Sequence, residues 1–320
     1  MNTIPTTFNP LLPSYTVVGG SGKTRKRERG VSVVLLHRGG VIDKKDLLEK
    51  FHAMGMAEIL SVEASRDTYQ LESLVGQYPR VRFLLLHEPA NVGRQINIAI
   101  HEAISSLCLV VWADYQIDPA SLQAGIEAVL KSPRQLCVAP WILSARNTPL
   151  PVLRVPAFHK ARLKVLAVLP RKEEALNLFP FDYCGIYHKE TFTLVGGYDH
   201  NIANPYWQKL DFGFRSFLFG ERIVCRKEFQ GIFFDGDLLE DTTPDDSYRL
   251  FFLKNLAPVY MGDRGELPFR KFFSFFFRSK GGLLVSLKEF QAVRAWVKIN
   301  AYRFKMDSQT ITELWEDPEE

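Results

Sequence analysis

Short apolar runs alternate with amphipathic segments along the first half of the chain. The apolar runs are VSVVLLH (31–37), AEILSVE (57–63), VRFLLLH (81–87), LCLVVWAD (107–114) and LCVAP (136–140). Segments with apolar residues at helical spacing lie between them, for example DKKDLLEKFHAM (43–54) and ASLQAGIEAVLKS (120–132). Strands that are apolar on both faces and alternate with helices are typical of a parallel sheet covered by helices. The pattern therefore predicts an α/β fold.

The regular pattern stops near residue 144. Residues 144 to 180 contain five prolines and a basic apolar stretch, which predicts an irregular segment rather than another strand and helix. A shorter second half follows, with predicted strands at DYCGIYH (182–188) and RIVCR (222–226). The predicted helices are KETFTLV (189–195), which ends at Gly196 and Gly197, and a segment around 207–219.

The change in pattern along the chain predicts three regions. Residues 1–30 are rich in Pro, Thr, Gly and basic side chains, and we expect a flexible basic leader. Residues 31–240 form the α/β domain, and residues 241–320 are expected to be a helical C-terminal extension.

Composition and charge narrow the class of protein. The chain has 320 residues, of which 46% are hydrophobic and 24% charged, so it can bury a large core. Its net charge of +4 is small, and a nucleic-acid partner is not indicated. The four cysteines lack CxxC spacing and are expected to be reduced core residues. Because no apolar run has the length of a membrane span or a signal peptide, we expect a cytoplasmic protein.

The stretch GGSGKT (19–24) imitates a phosphate-binding P-loop. That motif requires a glycine where Val17 stands, and an apolar helix where the charged RKRERG stands. An NTPase is therefore the least supported of the functions considered. It would be established only by ATP turnover that is lost in Lys23→Ala.

Polar side chains follow the predicted strands at the points where each strand ends. His37 and Arg38 follow the first strand, Glu63 the second and Asp114 the fourth. Ligands of parallel sheets bind beyond the carboxyl ends of the strands, so these groups are expected to share a nucleotide site. No GxGxxG turn follows the first strand, which argues against a dinucleotide-binding domain.

The order of motifs resembles that of the GT-A nucleotide-sugar glycosyltransferases of the inverting, family-two type, over roughly residues 31–235. NVGRQIN (91–97) resembles their Asn-x-Gly turn, and VVWADYQIDPASL (110–122) resembles their Asp-x-Asp strand end with its following proline. CGIYHKETFTLVGGYDHNI (184–202) and LDFGFRSFLFGERI (210–223) resemble the later Val-Gly-Gly and acidic motifs. The resemblance implies a Rossmann-like, mostly parallel sheet flanked by helices.

The resemblance also implies roles for individual residues. Donor-binding residues would be His37, Glu63, Arg94 and Asp114, and Asp114 would also hold a divalent cation, Mn or Mg. Asp199 and His200 would bind the acceptor from the loop that Gly196 and Gly197 shape. Asp211 would be the catalytic carboxylate, although this second aspartate of the acidic motif is more often structural.

The chain departs from the family pattern at two places. Trp112 stands at the first acidic position of Asp-x-Asp, and Gln208 and Lys209 stand where the family has Glu-Asp. The late histidine ligand is also missing, and Asp235 is the nearest substitute. Two functions therefore stay open. One is sugar transfer from a UDP- or GDP-sugar to a glycan, lipid or protein hydroxyl, and the other is a non-catalytic nucleotide-sugar or glycan binding module.

The extension contains a phenylalanine-rich stretch, LPFRKFFSFFFRSK (267–280). At helical spacing, Phe269, Phe272, Phe273, Phe276 and Phe277 fall on one stripe flanked by basic residues. Such a helix either packs on the α/β domain or lies on an anionic membrane surface, and the packing interpretation is favoured.

Overall fold

The computed structural model describes residues 14–20, 30–38, 44–64, 71–131, 135–159, 162–233, 240–278 and 282–315. The strands are β1 (Tyr15–Gly19), β2 (Val31–Leu36), β3 (Glu58–Ala64), β4 (Val81–Leu86), β5 (Leu107–Trp112), β6 (Tyr115–Ile117), β7 (Gln135–Ser144), β8 (Leu153–His159), β9 (Arg162–Val168), β10 (Glu174–Leu176), β11 (Gly185–His188), β12 (Arg222–Phe233), β13 (Val259–Met261) and β14 (Arg264–Glu266).

The helices alternate with these strands in the first half and dominate the last quarter. They are α1 (Lys44–Ala53), α2 (Leu71–Gln77), α3 (Val92–Glu102), α4 (Pro119–Lys131), α5 (Lys189–Val195), α6 (Pro205–Leu218), α7 (Asp246–Phe251), α8 (Lys271–Arg278), α9 (Leu283–Ile299) and α10 (Ser308–Glu313).

A ten-stranded sheet with the order β1-β4-β3-β2-β5-β11-β7-β12-β10 forms the centre of the fold, and β6 pairs with β12. The strands β4, β3, β2 and β5 are parallel neighbours. Every residue of β2, β4 and β5 is buried, as their continuous apolar sequences predict for strands covered on both faces. The predicted α/β fold with a largely parallel sheet flanked by helices is confirmed.

The helix that follows β5 begins where the sequence predicts. Asp118 accepts hydrogen bonds from the backbone N–H groups of Ala120 and Ser121, and Pro119 occupies the first helical position of α4. Both residues satisfy the needs of a helix start, because the first N–H groups of a helix have no partner within it. This cap starts α4 two residues after the short strand β6, which follows Asp114.

The segment predicted to be irregular contains an antiparallel hairpin instead. β8 and β9 pair along their whole length, from Leu153 with Val168 to His159 with Arg162. β9 carries basic and apolar residues in near alternation and is largely exposed, so its pattern lacked the continuous apolar run of the central strands. The prolines that suggested irregularity are tolerated because this hairpin is a separate two-stranded sheet.

The expected flexible leader also contains a strand. Tyr15–Gly19 form β1, which pairs antiparallel with β4 at the border of the sheet. Without β1, β4 would be an apolar edge strand, and its unpaired backbone groups favour the addition of another strand. Most of GGSGKT, with Lys23, lies outside the described residues.

The C-terminal residues pack against α6 through aromatic side chains. Phe251 lies 5.6 Å from both Trp207 and Phe214, measured between ring centroids, and Trp315 lies 4.9 Å from Phe217. In the described part of the chain, no helix combines the length and apolar character needed to cross a bilayer. All four cysteines are free and buried, as predicted.

Candidate functional site

The strands β2, β3 and β5 end side by side and bring three of the predicted residues to one edge of the sheet, here called the site edge. Leu35 pairs with Ser61 and Leu36 with Trp112, so the residues that follow these positions are neighbours. His37, Glu63 and Asp114 therefore meet at the site edge because of the parallel register, although they are far apart in sequence.

His37 and Glu63 form a small polar cluster with Ser61. The Ser61 hydroxyl donates to Glu63 Oε1 at 2.7 Å, and His37 Nε2 lies 2.9 Å from Ser61 Oγ and 3.3 Å from Glu63 Oε1. The Glu63 side chain is only 3% exposed, whereas that of His37 is 16% exposed. Glu63 therefore orients the imidazole from the buried side. His37 is the more exposed of the two side chains, so a ligand reaches it first.

Asp114 is paired with a cationic side chain. Arg38 Nε lies 3.1 Å from Asp114 Oδ2, and an Arg38 Nη contacts Asp182 Oδ2. The Arg38 guanidinium also lies 4.2 Å from the centre of the Trp112 ring, whose Nε1 donates to the Asp182 carbonyl at 2.9 Å. Arg38 is thus held by two carboxylates and an aromatic face.

The turn that carries Asp182 has an unusual backbone. Asp182 and Tyr183 both adopt positive φ, 50° and 65°, which side-chain-bearing residues rarely do. Two consecutive left-handed residues turn the Asp182 carboxylate toward Arg38. Burial raises the pKa of the Asp182 carboxyl above its ordinary value, although the Arg38 and Lys209 cations oppose this shift.

The residues at the site edge do not fit a divalent cation. Within the described residues, no group of three or more His, Cys, Asp or Glu side chains could hold a metal ion. Asp114 and Asp182 both point an oxygen at Arg38, so a cation between them would have to displace the guanidinium. Asp235, the substitute considered for the missing histidine, lies outside the described residues.

Gln208 stands where the family has the first acid of its Glu-Asp pair, and its side chain connects separate parts of the fold. Gln208 Oε1 accepts from the Gly93 N–H and from the Tyr183 hydroxyl, both at 2.9 Å, and its Nε2 donates to the Asp199 carbonyl. A Cβ at Gly93 would lie 2.5 Å from the Gln208 side chain. The glycine of NVGRQIN is therefore required by the close contact between α3 and α6.

Lys209, at the second of these acidic positions, is buried and paired with an acid from elsewhere in the chain. Its ammonium contacts Glu240 Oε1 and lies 5.3 Å from the centre of the Tyr183 ring. Arg154 Nε lies 3.6 Å from the other oxygen of Glu240. A carboxylate is thus present beside the position where the family has one, but Glu240 supplies it.

Asp211, the predicted catalytic residue, is inside the protein. Its Oδ2 accepts from Arg215 at 2.7 Å, and its Oδ1 accepts from Asn255 at 2.8 Å and lies 2.9 Å from Lys254 Nζ. The Asp211 side chain has no exposed surface. Both oxygens are occupied, so the arrangement fits the structural role that the motif position more often has, and it does not fit a base that must reach an acceptor hydroxyl.

Asp199, predicted to bind the acceptor, is buried in the same network. Its Oδ2 accepts from Lys254 at 2.8 Å, and its Oδ1 accepts from the backbone N–H of Asn201 at 2.9 Å. Burial by itself raises the pKa of the Asp199 carboxyl, but the Lys254 ammonium outweighs it and holds that pKa at about 2. Asp199 therefore stabilises the loop as an anion at neutral pH.

His200 and Arg94 remain near the surface beside this loop. The His200 imidazole is half-buried, and burial lowers its pKa, with a contribution from the Arg94 cation. Asn91 caps α3 by accepting from the Arg94 N–H, and its amide donates to the His200 carbonyl at 2.9 Å. The structure thus brings the predicted donor residue Arg94 close to the predicted acceptor residue His200.

Several residues of this region carried no signal in the sequence. Asp182 was assigned to a strand, whereas it lies in a 3-10 turn over Phe181–Tyr183 before β11 begins at Gly185. Glu240, Arg154 and Lys254 belong to segments without a recognisable motif. Their partners lie far away in sequence, and local patterns do not encode such pairs.

Comparisons with known proteins found similar solved structures but no similar sequences. No protein-family model matches the sequence, and no curated protein is significantly similar to it. The crystal structure of GalNAc-T7 with UDP, GalNAc and Mn²⁺ matches with a TM-score of 0.52 at 12% identity, over 71% of this chain and 48% of that chain. Two structures of S. aureus TarS also match. One has a TM-score of 0.49 at 11% identity, over 91% of this chain and 46% of that chain. TarS 1-349 in complex with UDP-GlcNAc has a TM-score of 0.46 at 10% identity, over 85% and 72%.

The likeness to GalNAc-T7 shows that this chain has a GT-A-like fold. The chain spans about half the length of the GalNAc-T7 chain. At this level of identity the shared property is the fold, and the chemistry has to be argued from the site edge.

Proposed function

We propose that this chain binds a nucleotide sugar at the site edge and transfers the sugar to an acceptor hydroxyl with inversion. The observation that carries the proposal is the convergence of His37, Arg38 and Asp114 from neighbouring strands of a GT-A-like sheet. Ligands of such sheets bind beyond the carboxyl ends of the strands, which is where these groups lie. The matching GalNAc-T7 structure contains UDP and GalNAc, which supports a UDP-sugar as the first donor to test.

The donor side of the site contains groups of the required chemistry. A diphosphate leaving group gains negative charge as its bond to the sugar breaks, so it needs positive charge or hydrogen-bond donors. Arg38 offers both, and its side chain is 37% exposed. His37, oriented by Glu63 and Ser61, adds an adjacent donor or acceptor for the ribose or base.

Glu240 is the carboxylate that we propose for the acceptor side. In the proposed reaction a carboxylate takes the acceptor hydroxyl proton while the hydroxyl oxygen bonds to the anomeric carbon. The bond from that carbon to the diphosphate breaks, and the diphosphate leaves with the electron pair. Glu240 is partly exposed and lies next to Lys209, at the place of the family's acid, whereas Asp211 is closed off.

A second candidate function is a non-catalytic nucleotide-sugar or glycan binding module. It is favoured by the pairing of Glu240 with two cations, Lys209 and Arg154, which weakens a carboxylate as a base. It is also favoured by Trp112, which replaces an acid of the family pattern. A fold retains its ligand site more readily than its chemistry, because binding needs fewer precisely placed groups.

Calorimetric titration with UDP and GDP, followed by incubation with UDP- and GDP-sugars, tests the proposal. We expect one nucleotide to bind. Its sugar derivative should release the nucleoside diphosphate as the sugar is transferred, slowly when the acceptor is water and faster when it is an acceptor hydroxyl. His37→Ala should weaken nucleotide binding, whereas His52→Ala, on the exposed face of α1, should not. Binding without release of the diphosphate supports the binding module, and the absence of binding to either nucleotide refutes both functions.

We also propose that α8 and the start of α9 lie on an anionic membrane surface. Phe272 and Phe275 are buried, while Phe269, Phe273 and Phe277 are exposed, so the predicted stripe does not form one inward face. Phe277 is 81% exposed, and Leu283, Leu284 and Val285 at the start of α9 are exposed as well. Large apolar side chains that are exposed together on one surface mark an interaction site.

The charges beside these apolar residues indicate the nature of that surface. Arg270 and Lys288 are exposed next to the phenylalanines and leucines, and Lys271 is half-buried. Apolar residues that insert among acyl chains, flanked by cations that meet anionic headgroups, are typical of interfacial helices. A membrane-bound acceptor would then be presented to the enzyme at the surface where it docks.

A further inference from the structure

We propose that the Arg38 guanidinium takes the place of a divalent cation at the end of β5, so that this chain binds a nucleoside diphosphate without metal. The inference rests on the proposed function in one respect, since the donor must carry a diphosphate. It goes beyond that function because it makes binding independent of Mn²⁺ or Mg²⁺.

The first argument is the position of Arg38. Its Nε lies 3.1 Å from Asp114 Oδ2, the one acid that remains of the Asp-x-Asp pattern, and one Nη contacts Asp182. The guanidinium therefore sits against the carboxylate that would otherwise ligate a metal. A second cation brought to the same carboxylate would meet the charge of Arg38 within a few ångströms, which is strongly unfavourable.

The second argument is the residue at the missing acidic position. Trp112 replaces the first acid, and its ring supports the guanidinium at 4.2 Å while its Nε1 holds the Asp182 turn at 2.9 Å. Trp112 thus stands where a metal ligand would be and also holds the Arg38 guanidinium in place. Stacking on an aromatic face suits the planar, weakly hydrated guanidinium and would not suit a hydrated divalent ion.

The third argument is the number of ligands available to a metal. Trp112 leaves Asp114 as the remaining acid of the Asp-x-Asp pattern, and both Asp114 and Asp182 already face Arg38. Metal ligation by other groups has no support in the described part of the chain, where His, Cys, Asp and Glu side chains form no group of three or more.

Arg38 retains donors for a ligand. A guanidinium has five N–H donors, and the contacts with Asp114 and Asp182 engage only Nε and one Nη. More than a third of the side chain is exposed, so a phosphate can reach it. The geometry therefore allows Arg38 to bind a phosphate while its two carboxylates keep it in place.

The test is calorimetric titration of UDP and GDP into the full chain, once in EDTA and once with Mn²⁺. We expect at least one nucleotide to bind in EDTA, with Mn²⁺ changing the Kd by less than about threefold. Arg38→Gln should weaken that binding in EDTA by roughly 10-fold to 100-fold, as expected for the loss of a charged hydrogen bond. Arg38→Lys should retain part of the affinity, because it retains the charge.

Arg222→Gln is the control for a general loss of positive charge. Arg222 is exposed at the start of β12, on the opposite edge of the sheet from Arg38, and its replacement should leave the Kd unchanged. Circular dichroism and the unfolding midpoint of each variant show whether it is folded, and the titrations of the unmodified chain do not depend on any variant.

Two results would overturn the inference while leaving the proposed function intact. One is UDP or GDP binding that disappears in EDTA and returns with Mn²⁺. The other is metal-free binding that is the same in folded Arg38→Gln as in the unmodified chain. The absence of binding to either nucleotide, with and without Mn²⁺, would instead refute the proposed function and this inference with it.

Discussion

Lys254 Nζ lies 2.8 Å from Asp199 Oδ2, and neither side chain is exposed to solvent. The same ammonium lies 2.9 Å from Asp211 Oδ1, so one buried cation neutralises two buried carboxylates. Asp199 lies in the region that resembles the Val-Gly-Gly motif, and Asp211 in the one that resembles the acidic motif. Lys254 also lies 5.2 Å from the centre of the Trp296 ring in α9. This ion cluster joins α6, the loop before it and the C-terminal helices into one unit.

Lys254→Met is expected to destabilise the protein by about 3–5 kcal/mol, because it leaves two carboxylates buried without their cation. The change is measured as the free energy of unfolding in urea. Lys288→Met, at an exposed position of α9, is the matched control and should cost less than about 0.5 kcal/mol. Equal stability of the two variants would show that the cluster does not support the fold.

Acid should weaken the fold through Asp199. The pKa of this carboxyl is about 2 in the folded protein, and it is about 3.9 in an unfolded chain. Because the folded value is lower, the stabilisation is fully present above about pH 5 and is lost as the pH falls toward about 2, by about 2–3 kcal/mol in all. The free energy of unfolding of Asp199→Asn, compared with that of the unmodified chain, should depend less on pH in this window.

Asp114→Asn and Asp211→Asn should differ sharply in stability, although they make the same chemical change. Asp114 is partly exposed and paired with one arginine, so its substitution should cost less than about 1 kcal/mol. Asp211 is buried with Arg215 and Lys254, and its substitution should cost about 3 kcal/mol or more. Urea unfolding measures both, and a small cost at Asp211 would reopen its catalytic role.

Glu240→Gln should lower the rate of donor cleavage by roughly 100-fold or more if Glu240 removes the acceptor proton. Affinity for UDP or GDP should stay within a few-fold, because the proposed role concerns the acceptor. The measurement is release of the nucleoside diphosphate from the sugar nucleotide under single-turnover conditions. Glu228→Gln, exposed on β12, is the control. An unchanged rate in Glu240→Gln would exclude it as the base.

Phe273→Glu should release the protein from anionic lipid vesicles and leave its folding intact. Phe273 is 58% exposed, so the substitution should change the free energy of unfolding by less than about 1 kcal/mol. Loss of one inserted phenylalanine should weaken vesicle binding by roughly tenfold, and the added charge should increase the effect. Leu130→Glu, exposed on α4, is the control. Failure of the unmodified chain to bind vesicles would refute membrane docking.

The sequence allowed the central sheet to be predicted because its signals are local. The strands β2, β4 and β5 are continuous apolar runs, and Asp118 with Pro119 begins α4 within the same few residues. The meeting of His37, Glu63 and Asp114 at one edge also followed, since parallel strands place their carboxyl ends together. These inferences needed only the order of elements and the rule that apolar surfaces are buried.

The hairpin of β8 and β9 and the strand β1 were not foreseen. Both form because they pair with a neighbouring strand, and neither has a strong hydrophobic pattern of its own. β1 exists because β4 offers an open border, and β9 is mostly exposed and paired with β8. Backbone hydrogen bonding to a neighbouring strand outweighs a weak local preference for strand structure. Which strand becomes the neighbour depends on the folded chain.

The sequence by itself thus determined the fold class, the edge of the sheet where His37, Glu63 and Asp114 meet, and the substitutions that separate this chain from the family pattern, at Trp112, Gln208 and Lys209. Only the tertiary structure decided which charges are used and where. It placed Arg38 between Asp114 and Asp182, which is 144 residues away, and it buried Asp211 with Lys254, 43 residues away. A carboxylate is the same chemical group at both positions, and its role depends on solvent access and on the cation beside it, which are properties of the folded chain.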